Sequence, residues 1–225
     1  MTDWAAVDDY IGDVLLGDDP ALAVALAANA RAGLPPIDVS AAQGKMLHLF
    51  ARMAGARRIL EIGTLGGYST IWLARALGED GALVTLELEP HHADVARANI
   101  ANAGLAARVT VRVGPALDTL TAMQAAGEGP FDLVFIDADK ENGAAYVAAV
   151  LAGLTRAGSV ILVDNVVREG AVIDPDNDDP RVIGTRALFD FVATEPRLSA
   201  TAVQTVGAKK WDGFLLAVVS GGEAA

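Results

Sequence analysis

Two acidic side chains and an amide follow short apolar runs in the second half of the chain. The run Phe131–Asp137 continues into Ala-Asp-Lys, and the run Ser159–Asp164 is followed by Asn165. Carboxylates at the ends of buried strands repel each other unless a cation joins them. Oxygen donors without histidine or cysteine suit a hard divalent ion, Mg²⁺ rather than zinc. The pattern predicts a magnesium site at Asp137, Asp164 and Asn165.

Lys140 follows Asp137 by three residues, which returns its side chain towards the same rim at the start of a helix. A dication beside an ammonium group favours the neutral amine, so Lys140 is a candidate proton acceptor. In the alternative interpretation, Asp164 and Asn165 only cap a turn. The lysine is then an ordinary solvated side chain that pairs with Asp137.

A glycine-rich turn follows the first apolar run, within the sequence EIGTLGGYS of residues 61–69. Its glycines permit a tight turn and close approach of a ligand to the backbone: Gly63, Gly66 and Gly67. The spacing differs from the G-x-G-x-x-G motif that binds a pyrophosphate. This difference favours a nucleoside ligand without phosphates. Glu87, 24 residues after Gly63, is placed to bind ribose hydroxyls, and Glu61 is expected to face the same crevice. In the alternative interpretation, the glycines only form an ordinary turn between a strand and a helix.

A parallel sheet is expected to position these residues. From residue 57 onward, almost wholly apolar runs alternate with amphipathic segments, as expected for strands covered by helices on both faces. The runs are Arg58–Ile62, Ala82–Glu87, Arg108–Val113, Phe131–Asp137 and Ser159–Asp164. Two further runs, Ala200–Val206 and Phe214–Val219, have no helix between them and predict an antiparallel hairpin. The fold class is α/β, a doubly wound, mostly parallel, seven-stranded sheet.

The first 55 residues read as helical, with Pro20 starting one helix and Ser40 capping another from Ala41 to about Ala54. We predict one domain over residues 1–225, with a helical N-terminal extension (1–55) and a core (56–219). The stretch Val166–Pro180 is expected to be a long irregular connection with the role of a lid.

Composition excludes several classes of protein. The 225 residues are 52% hydrophobic with a formal net charge of −12, which disfavours nucleic-acid or anionic-membrane partners. The chain has no cysteine, which rules out disulfides, thiolate metal sites and a cysteine nucleophile. The acidic N-terminus is unlike a signal peptide, and the apolar stretch Ala21–Ala30 is too short to span a bilayer. A soluble, cytoplasmic protein is expected.

Three other groups of residues carry weaker signals. The acidic run Asp174–Asp179 lacks the glycine and glutamate of a calcium loop and is expected to be solvated. The histidines are expected to be surface or packing residues away from the strand ends: His48, His91 and His92. The expected hairpin loop Gly207–Gly213 forms either a substrate wall or a polar turn through Lys209, Lys210 and Trp211.

Three sequence pieces together are similar to one family. Glu61–Ser69, Phe135–Lys140 and Val163–Asn165 resemble the cation-dependent O-methyltransferases, the family of catechol and caffeoyl-CoA O-methyltransferases. The resemblance covers about residues 35–219. It implies the Rossmann-like class I methyltransferase fold, S-adenosylmethionine and Mg²⁺ as cofactors, a vicinal-dihydroxy aromatic substrate, and a homodimer.

The resemblance also assigns roles to residues of this chain. Asp137, Asp164 and Asn165 match the family's metal ligands, and Lys140 its general base. The cofactor-binding residues that it implies are Val39, Glu61, Gly63, Tyr68, Ser69, Glu87, Gly114, Pro115, Ala116 and Asp137. The hairpin loop, the N-terminal helices and the stretch Val166–Pro180 match no branch well enough to name the substrate.

Two other functions remain open from the residues alone. A nicotinamide-dependent oxidoreductase needs a phosphate-cradling turn and commonly a Tyr-x-x-x-Lys pair, and the chain has neither. A non-catalytic sensor of an adenosyl ligand has no use for the oxygen cluster beside Lys140.

Overall fold

A single seven-stranded sheet organises the computed structural model, which describes residues 3–221. The strands are β1 (Arg58–Ile62), β2 (Ala82–Glu87), β3 (Val109–Val113), β4 (Leu133–Ile136), β5 (Val160–Asp164), β6 (Leu198–Gly207) and β7 (Lys210–Val219). Their order across the sheet is β3-β2-β1-β4-β5-β7-β6. Strands β1 to β5 are parallel, and β7 runs antiparallel to both β5 and β6. The predicted fold class and hairpin are confirmed.

Eight α-helices lie in the described residues. They are α1 (Trp4–Ile11), α2 (Pro20–Arg31), α3 (Ala41–Met53), α4 (Tyr68–Ala74), α5 (Pro90–Asn102), α6 (Ala116–Ala125), α7 (Gly143–Leu151) and α8 (Pro180–Thr194). A π-helical turn (Gly12–Leu16) extends α1, and 3₁₀ turns cover Lys140–Asn142 and Arg168–Ile173. Helices α2 and α3 begin as the sequence predicts, because Asp19 and Ser40 accept hydrogen bonds from backbone N–H groups of the first turn. No helix among residues 3–221 is long and apolar enough to cross a membrane.

The two faces of the sheet pack against different helices. Along β1, Leu60 and Ile62 join the core beneath α6, α7 and α8, whereas Ile59 joins the core beneath α2 to α5. Side chains alternate between the faces of a strand, so Glu61 lies on the same face as Ile59. This alternation decides where the Glu61 carboxylate can go.

Two expectations about connections are wrong. The hairpin loop is only Ala208 and Lys209, because β6 continues to Gly207 and β7 begins at Lys210, which has a φ of 71°. The stretch Val166–Pro180 is not structureless, since it contains the 3₁₀ turns Arg168–Ile173 and begins with two buried valines. Cross-strand hydrogen bonds and apolar burial order both segments, despite their polar sequences.

Candidate functional site

A cleft of about 850 Å³ opens at the carboxyl ends of β1, β2 and β4. The strand order reverses between β1 and β4, since β2 and β3 lie on one side of this point and β5 on the other. Ligands of open parallel sheets bind at such a point. Most of the predicted site residues line it: Val39, Gly63, Ser69, Glu87, Gly114, Pro115, Ala116, Asp137, Lys140 and Asn165. Residues more than 120 positions apart in the chain thus share one cavity.

The glycine turn after β1 needs its glycines for packing within the chain. Gly63 has a φ of 97°, and a Cβ there would overlap the backbone carbonyl oxygen of Asp137. A Cβ at Gly66 would overlap the side chain of Asn29 on α2. Asn99 of α5 donates both to the Gly66 carbonyl and to Asn29 Oδ1, each at 2.9 Å. The turn is therefore held from β4 on one side and from buried amides on the other.

Glu87 ends β2 with a carboxylate that the backbone of the glycine turn already holds. Its Oε2 accepts hydrogen bonds from the N–H groups of Thr64 (3.1 Å) and Leu65 (2.8 Å), and its Oε1 accepts from Glu89 (3.0 Å). His92 Nδ1 lies 3.5 Å from Oε1. A carboxylate has about four lone-pair sites, so Oε1 retains capacity for a ligand hydroxyl.

The expectation that His92 lies away from the strand ends is wrong. The first turn of α5 brings its ring to the cleft wall beside Glu87. The other two histidines are surface or packing residues, as expected. His48 contacts the Trp72 carbonyl at 3.2 Å, and His91 contacts the Ala32 carbonyl at 3.0 Å.

Glu61 does not face the crevice, contrary to the expectation. Its carboxylate is completely buried under α4 and accepts hydrogen bonds from the hydroxyls of Ser69 (2.6 Å), Thr70 and Thr85 (2.7 Å). Burial raises the pKa of Glu61 to about 7, and the hydroxyl donors oppose this shift. Ser69 lines the cleft, so Glu61 acts on the cleft surface through that hydroxyl.

Tyr68 also lies apart from the cleft. It is 4% exposed at the first position of α4. It lines a neighbouring cavity of about 800 Å³ instead of the cleft. Asp38 and Val39 belong to both cavities and form the wall between them.

The predicted metal ligands come together at the ends of β4 and β5. Ile136 pairs with Val163 in the parallel register, so Asp137 and Asp164 follow side by side at the next position. Lys140 Nζ lies 2.8 Å from Asp137 Oδ1, with 13% of the lysine side chain exposed. A Cβ at Gly184 would overlap the Lys140 carbonyl, so α8 packs directly on the turn that carries the lysine.

Asp164 is the most buried of these acids, with 4% exposed. Burial and the negative charge of Asp137 raise its pKa to about 7, and Lys140 opposes this shift. Gln43 of α3 donates from Nε2 to Asp164 Oδ2 at 2.7 Å. The N-terminal helices thus orient one of the predicted ligands from 121 residues away in sequence.

Asn165 adopts a left-handed conformation with a φ of 59°. Asparagine tolerates this region better than most residues. Its N–H donates to Asp164 Oδ1 at 2.9 Å, and the next residue, Val166, donates to the Gly213 carbonyl at 3.0 Å. The turn after β5 is therefore fastened to β7.

The donor set fits a hard divalent cation. Two carboxylates and an amide offer only oxygen ligands. The single positive charge of Lys140 does not balance the negative charges of two acids, one of which is buried. No group of three or more histidine, cysteine or acidic side chains in residues 3–221 forms an alternative metal cluster. Asp174–Asp179 serves a different purpose, because Asp179 caps α8 and pairs with Arg181.

Several residues of the site carry no sequence signal. The Tyr146 hydroxyl donates to Asp139 Oδ1 in the cleft wall, and burial and that carboxylate raise the pKa of the tyrosine. Tyr146 occupies a position on the apolar face of its predicted helix. Gln43 lies in a predicted helix that is far in sequence from both strands. Arg168 lines the cleft from within the expected lid. Only tertiary contacts identify these residues.

The hairpin residues lie outside the cleft. Neither Lys209, Lys210 nor Trp211 lines it. The Trp211 ring packs on Gly170, where an added Cβ would come within 2.8 Å of the indole. Lys209 lines the neighbouring cavity.

Comparison with known proteins gives concordant matches. The family model described as O-methyltransferase matches residues 18–218. A catechol O-methyltransferase of Mycobacterium tuberculosis is 57% identical over 213 residues, which cover 95% of this chain and 94% of that protein.

Two solved structures are also similar. The O-methyltransferase from Bacillus cereus, in complex with SAH, has a TM-score of 0.95 and 56% identity, covering 96% of this chain and 98% of that one. The O-methyltransferase TomG from Streptomyces achromogenes, in complex with SAM, has a TM-score of 0.93 and 50% identity, covering 97% of each chain.

Proposed function

The chain belongs to the O-methyltransferase family, and we propose that it transfers the methyl group of S-adenosylmethionine to one hydroxyl of a catechol-like substrate, with a divalent cation. One observation carries the proposal: Asp137, Lys140 and Asn165 share a cleft with Glu87 and the glycine turn. Asp164 follows the paired residue of β5 beside Asp137 and lines a small adjoining pocket with Lys140 rather than the cleft itself. The activity named for the Mycobacterium relative and the SAH and SAM in the two structures support it.

We assign the cofactor to the end of the cleft at β1 and β2. Glu87 Oε1 accepts from a ribose hydroxyl, while the turn amides keep the carboxylate in place. Val39, Gly63 and Ser69 contact the methionine portion. The adenine lies against the segment Gly114–Ala116, which lines the same cleft.

We assign the acceptor to the end at β4 and β5. Asp137, Asp164 and Asn165 would hold the divalent cation, and Gln43 orients one of these acids. When bound there, the cation supplies Lewis-acid polarisation, which eases the ionisation of a phenol whose pKa is normally about 10.

We propose that Lys140 accepts the proton of the acceptor hydroxyl. Its amine lies at the cleft wall and is held by Asp137 and the packing of α8. The acceptor oxygen, freed of its proton, attacks the methyl carbon as the sulfur–carbon bond breaks, which leaves S-adenosylhomocysteine. Holding both reactants in one cleft lowers the activation free energy by on the order of 7–11 kcal/mol, because the two molecules are already oriented for reaction.

The proposal is tested by methyl transfer from labelled S-adenosylmethionine to catechol, caffeic acid and its thioester, with Mg²⁺ or with excess chelator. We expect Mg²⁺-dependent monomethyl ethers, and no product from phenol, which lacks the second oxygen. Equal turnover in chelator would contradict the metal assignment. The absence of product from every vicinal diol would contradict the acceptor class.

A further inference from the structure

Arg168 differs from the other half-buried arginines of residues 3–221. The others each donate from the guanidinium to an oxygen of the chain: Arg58, Arg75, Arg108, Arg112 and Arg186. Within the same residues, the Arg168 guanidinium has no hydrogen-bond or ion-pair partner, and its Nε is completely buried. A buried charged donor without an acceptor costs free energy that a ligand can recover.

The carboxylates around Arg168 are engaged elsewhere. Asp179 pairs with Arg181, whose hydrogen bonds lower the pKa of that acid to about 2, and the charge of Arg168 adds a smaller lowering without a hydrogen bond or ion pair. Glu169 lies 3.6 Å from Lys210 Nζ. Asp212 uses Oδ1 to accept backbone N–H groups. The described chain therefore leaves the Arg168 guanidinium available.

The backbone holds Arg168 in a strained position. Its φ is 56° and that of Glu169 is 54°, a region that side chains other than glycine rarely occupy. Asp212 Oδ1 fixes the segment by accepting from the N–H groups of Val167 (3.0 Å) and Arg168 (3.1 Å). Strain that the surrounding structure enforces is characteristic of ligand-binding positions.

Arg168 lies at the acceptor end of the cleft. It follows Asn165 by three residues, and both line the same cavity as Lys140. A guanidinium presents a planar fork of donors that matches the two oxygens of a carboxylate or a phosphate.

We infer that Arg168 is a specificity-determining residue that binds an oxyanion, a carboxylate or phosphate ester, carried by the catechol-like acceptor. This inference rests on the proposed function, because it places the acceptor beside Asn165. Arg168 holds the substituent and takes no part in the transfer of the methyl group.

Three acceptors with the same ring test the inference: 3,4-dihydroxyphenylacetate, 2-(3,4-dihydroxyphenyl)ethyl phosphate and the neutral 2-(3,4-dihydroxyphenyl)ethanol. In each the substituent is insulated from the ring by one or two methylene groups. With Mg²⁺ and saturating S-adenosylmethionine, we expect kcat/KM for at least one oxyanion to exceed that for the alcohol about tenfold or more. Which oxyanion is preferred distinguishes a carboxylate from a phosphate substituent.

The variant Arg168→Gln is expected to lower kcat/KM for the preferred oxyanion by about 10- to 100-fold, mainly through KM. Turnover of the neutral alcohol should change less than about threefold, which also shows that the variant is folded. Arg168→Lys, which keeps the charge but loses the fork, should be intermediate. Lys210→Gln removes a positive charge beside the same segment but outside the cleft, and should leave the preference unchanged.

Calorimetric binding of the preferred acceptor to the holoenzyme with S-adenosylhomocysteine gives a readout without turnover, and Arg168→Gln should weaken it to the same extent. Equal kcat/KM for all three acceptors, or an equal loss for oxyanion and alcohol in Arg168→Gln, would overturn the inference while leaving the proposed function intact. Failure of all three acceptors, the alcohol included, would instead contradict the proposed function.

Discussion

The two ends of the cleft are built on different electrostatic principles. At the β1–β2 end, the chain itself satisfies the charged groups: backbone N–H groups bind Glu87, and three hydroxyls bind Glu61. At the β4–β5 end, two neighbouring acids lie near one lysine, which forms an ion pair with Asp137, and a half-buried arginine has no hydrogen-bond or ion-pair partner in the described chain. The charged groups of the first end have partners within the chain, whereas the second end carries charge that a bound ligand would balance.

This difference has consequences for rigidity and for specificity. A preformed end holds one invariant molecule with little rearrangement, as expected of a cofactor site. An end with unsatisfied charges discriminates among ligands, since a wrong acceptor leaves those charges unpaired. We therefore expect substitutions at the two ends to separate cleanly into effects on the cofactor and effects on the acceptor.

The largest effect is expected for Asp137→Ala. Loss of a metal ligand should lower Mg²⁺-dependent kcat by at least about 10³-fold, because Lewis-acid stabilisation is worth several kcal/mol. Calorimetry should show S-adenosylhomocysteine binding within about threefold of wild type. The matched variant Glu87→Gln should do the reverse and weaken S-adenosylhomocysteine binding about 10- to 100-fold. If both variants lose cofactor and acceptor together, the two ends are not independent.

The next effect concerns the pH dependence of stability in Glu61→Gln. The folded protein raises the pKa of Glu61 from 4.5 to about 7, so the folded state binds more protons than the unfolded state between these values. This contribution to stability is complete below pH 4.5 and is lost as pH rises through 7. The free energy of unfolding of wild type, relative to the neutral variant, should fall by about 3 kcal/mol across that range.

Urea unfolding of both proteins at pH 4.5, 6 and 8 measures this difference. Asp176→Asn, on the exposed loop before α8, is the control and should follow wild type. A constant gap between wild type and Glu61→Gln at all three pH values would mean that folding does not raise the pKa of Glu61.

The smallest effect is expected for Gln43→Met, a substitution of similar volume. Removing the Nε2 donor leaves Asp164 less well oriented, so the Mg²⁺ concentration for half-maximal activity should rise about 10-fold. Saturating Mg²⁺ should restore kcat, which a purely structural defect would not allow. A change in kcat without a change in Mg²⁺ requirement would exclude the positioning role.

The sequence predicted the sheet well because burial on both faces leaves apolar runs in the chain. Strands β1 and β2 have the predicted ends, and the nicotinamide alternative is wrong, since the chain belongs to the O-methyltransferase family. The hairpin loop and the irregular course of Val166–Pro180 were predicted wrongly because polar residues there are ordered by pairing and packing. The role of that stretch as a lid stays a prediction. The metal, the homodimer and the cytoplasmic location stay predictions.

The sequence by itself determined which polar groups end the strands, because a parallel sheet sends the ends of β4 and β5 to one edge whatever the loops do. Only the tertiary structure decided which of these groups reach the cleft. The pleat turned Glu61 under α4, the approach of α3 brought Gln43 to Asp164, and Asp212 of β7 held Arg168 in the cleft. Each depends on contacts between residues far apart in the chain, which local pattern cannot encode.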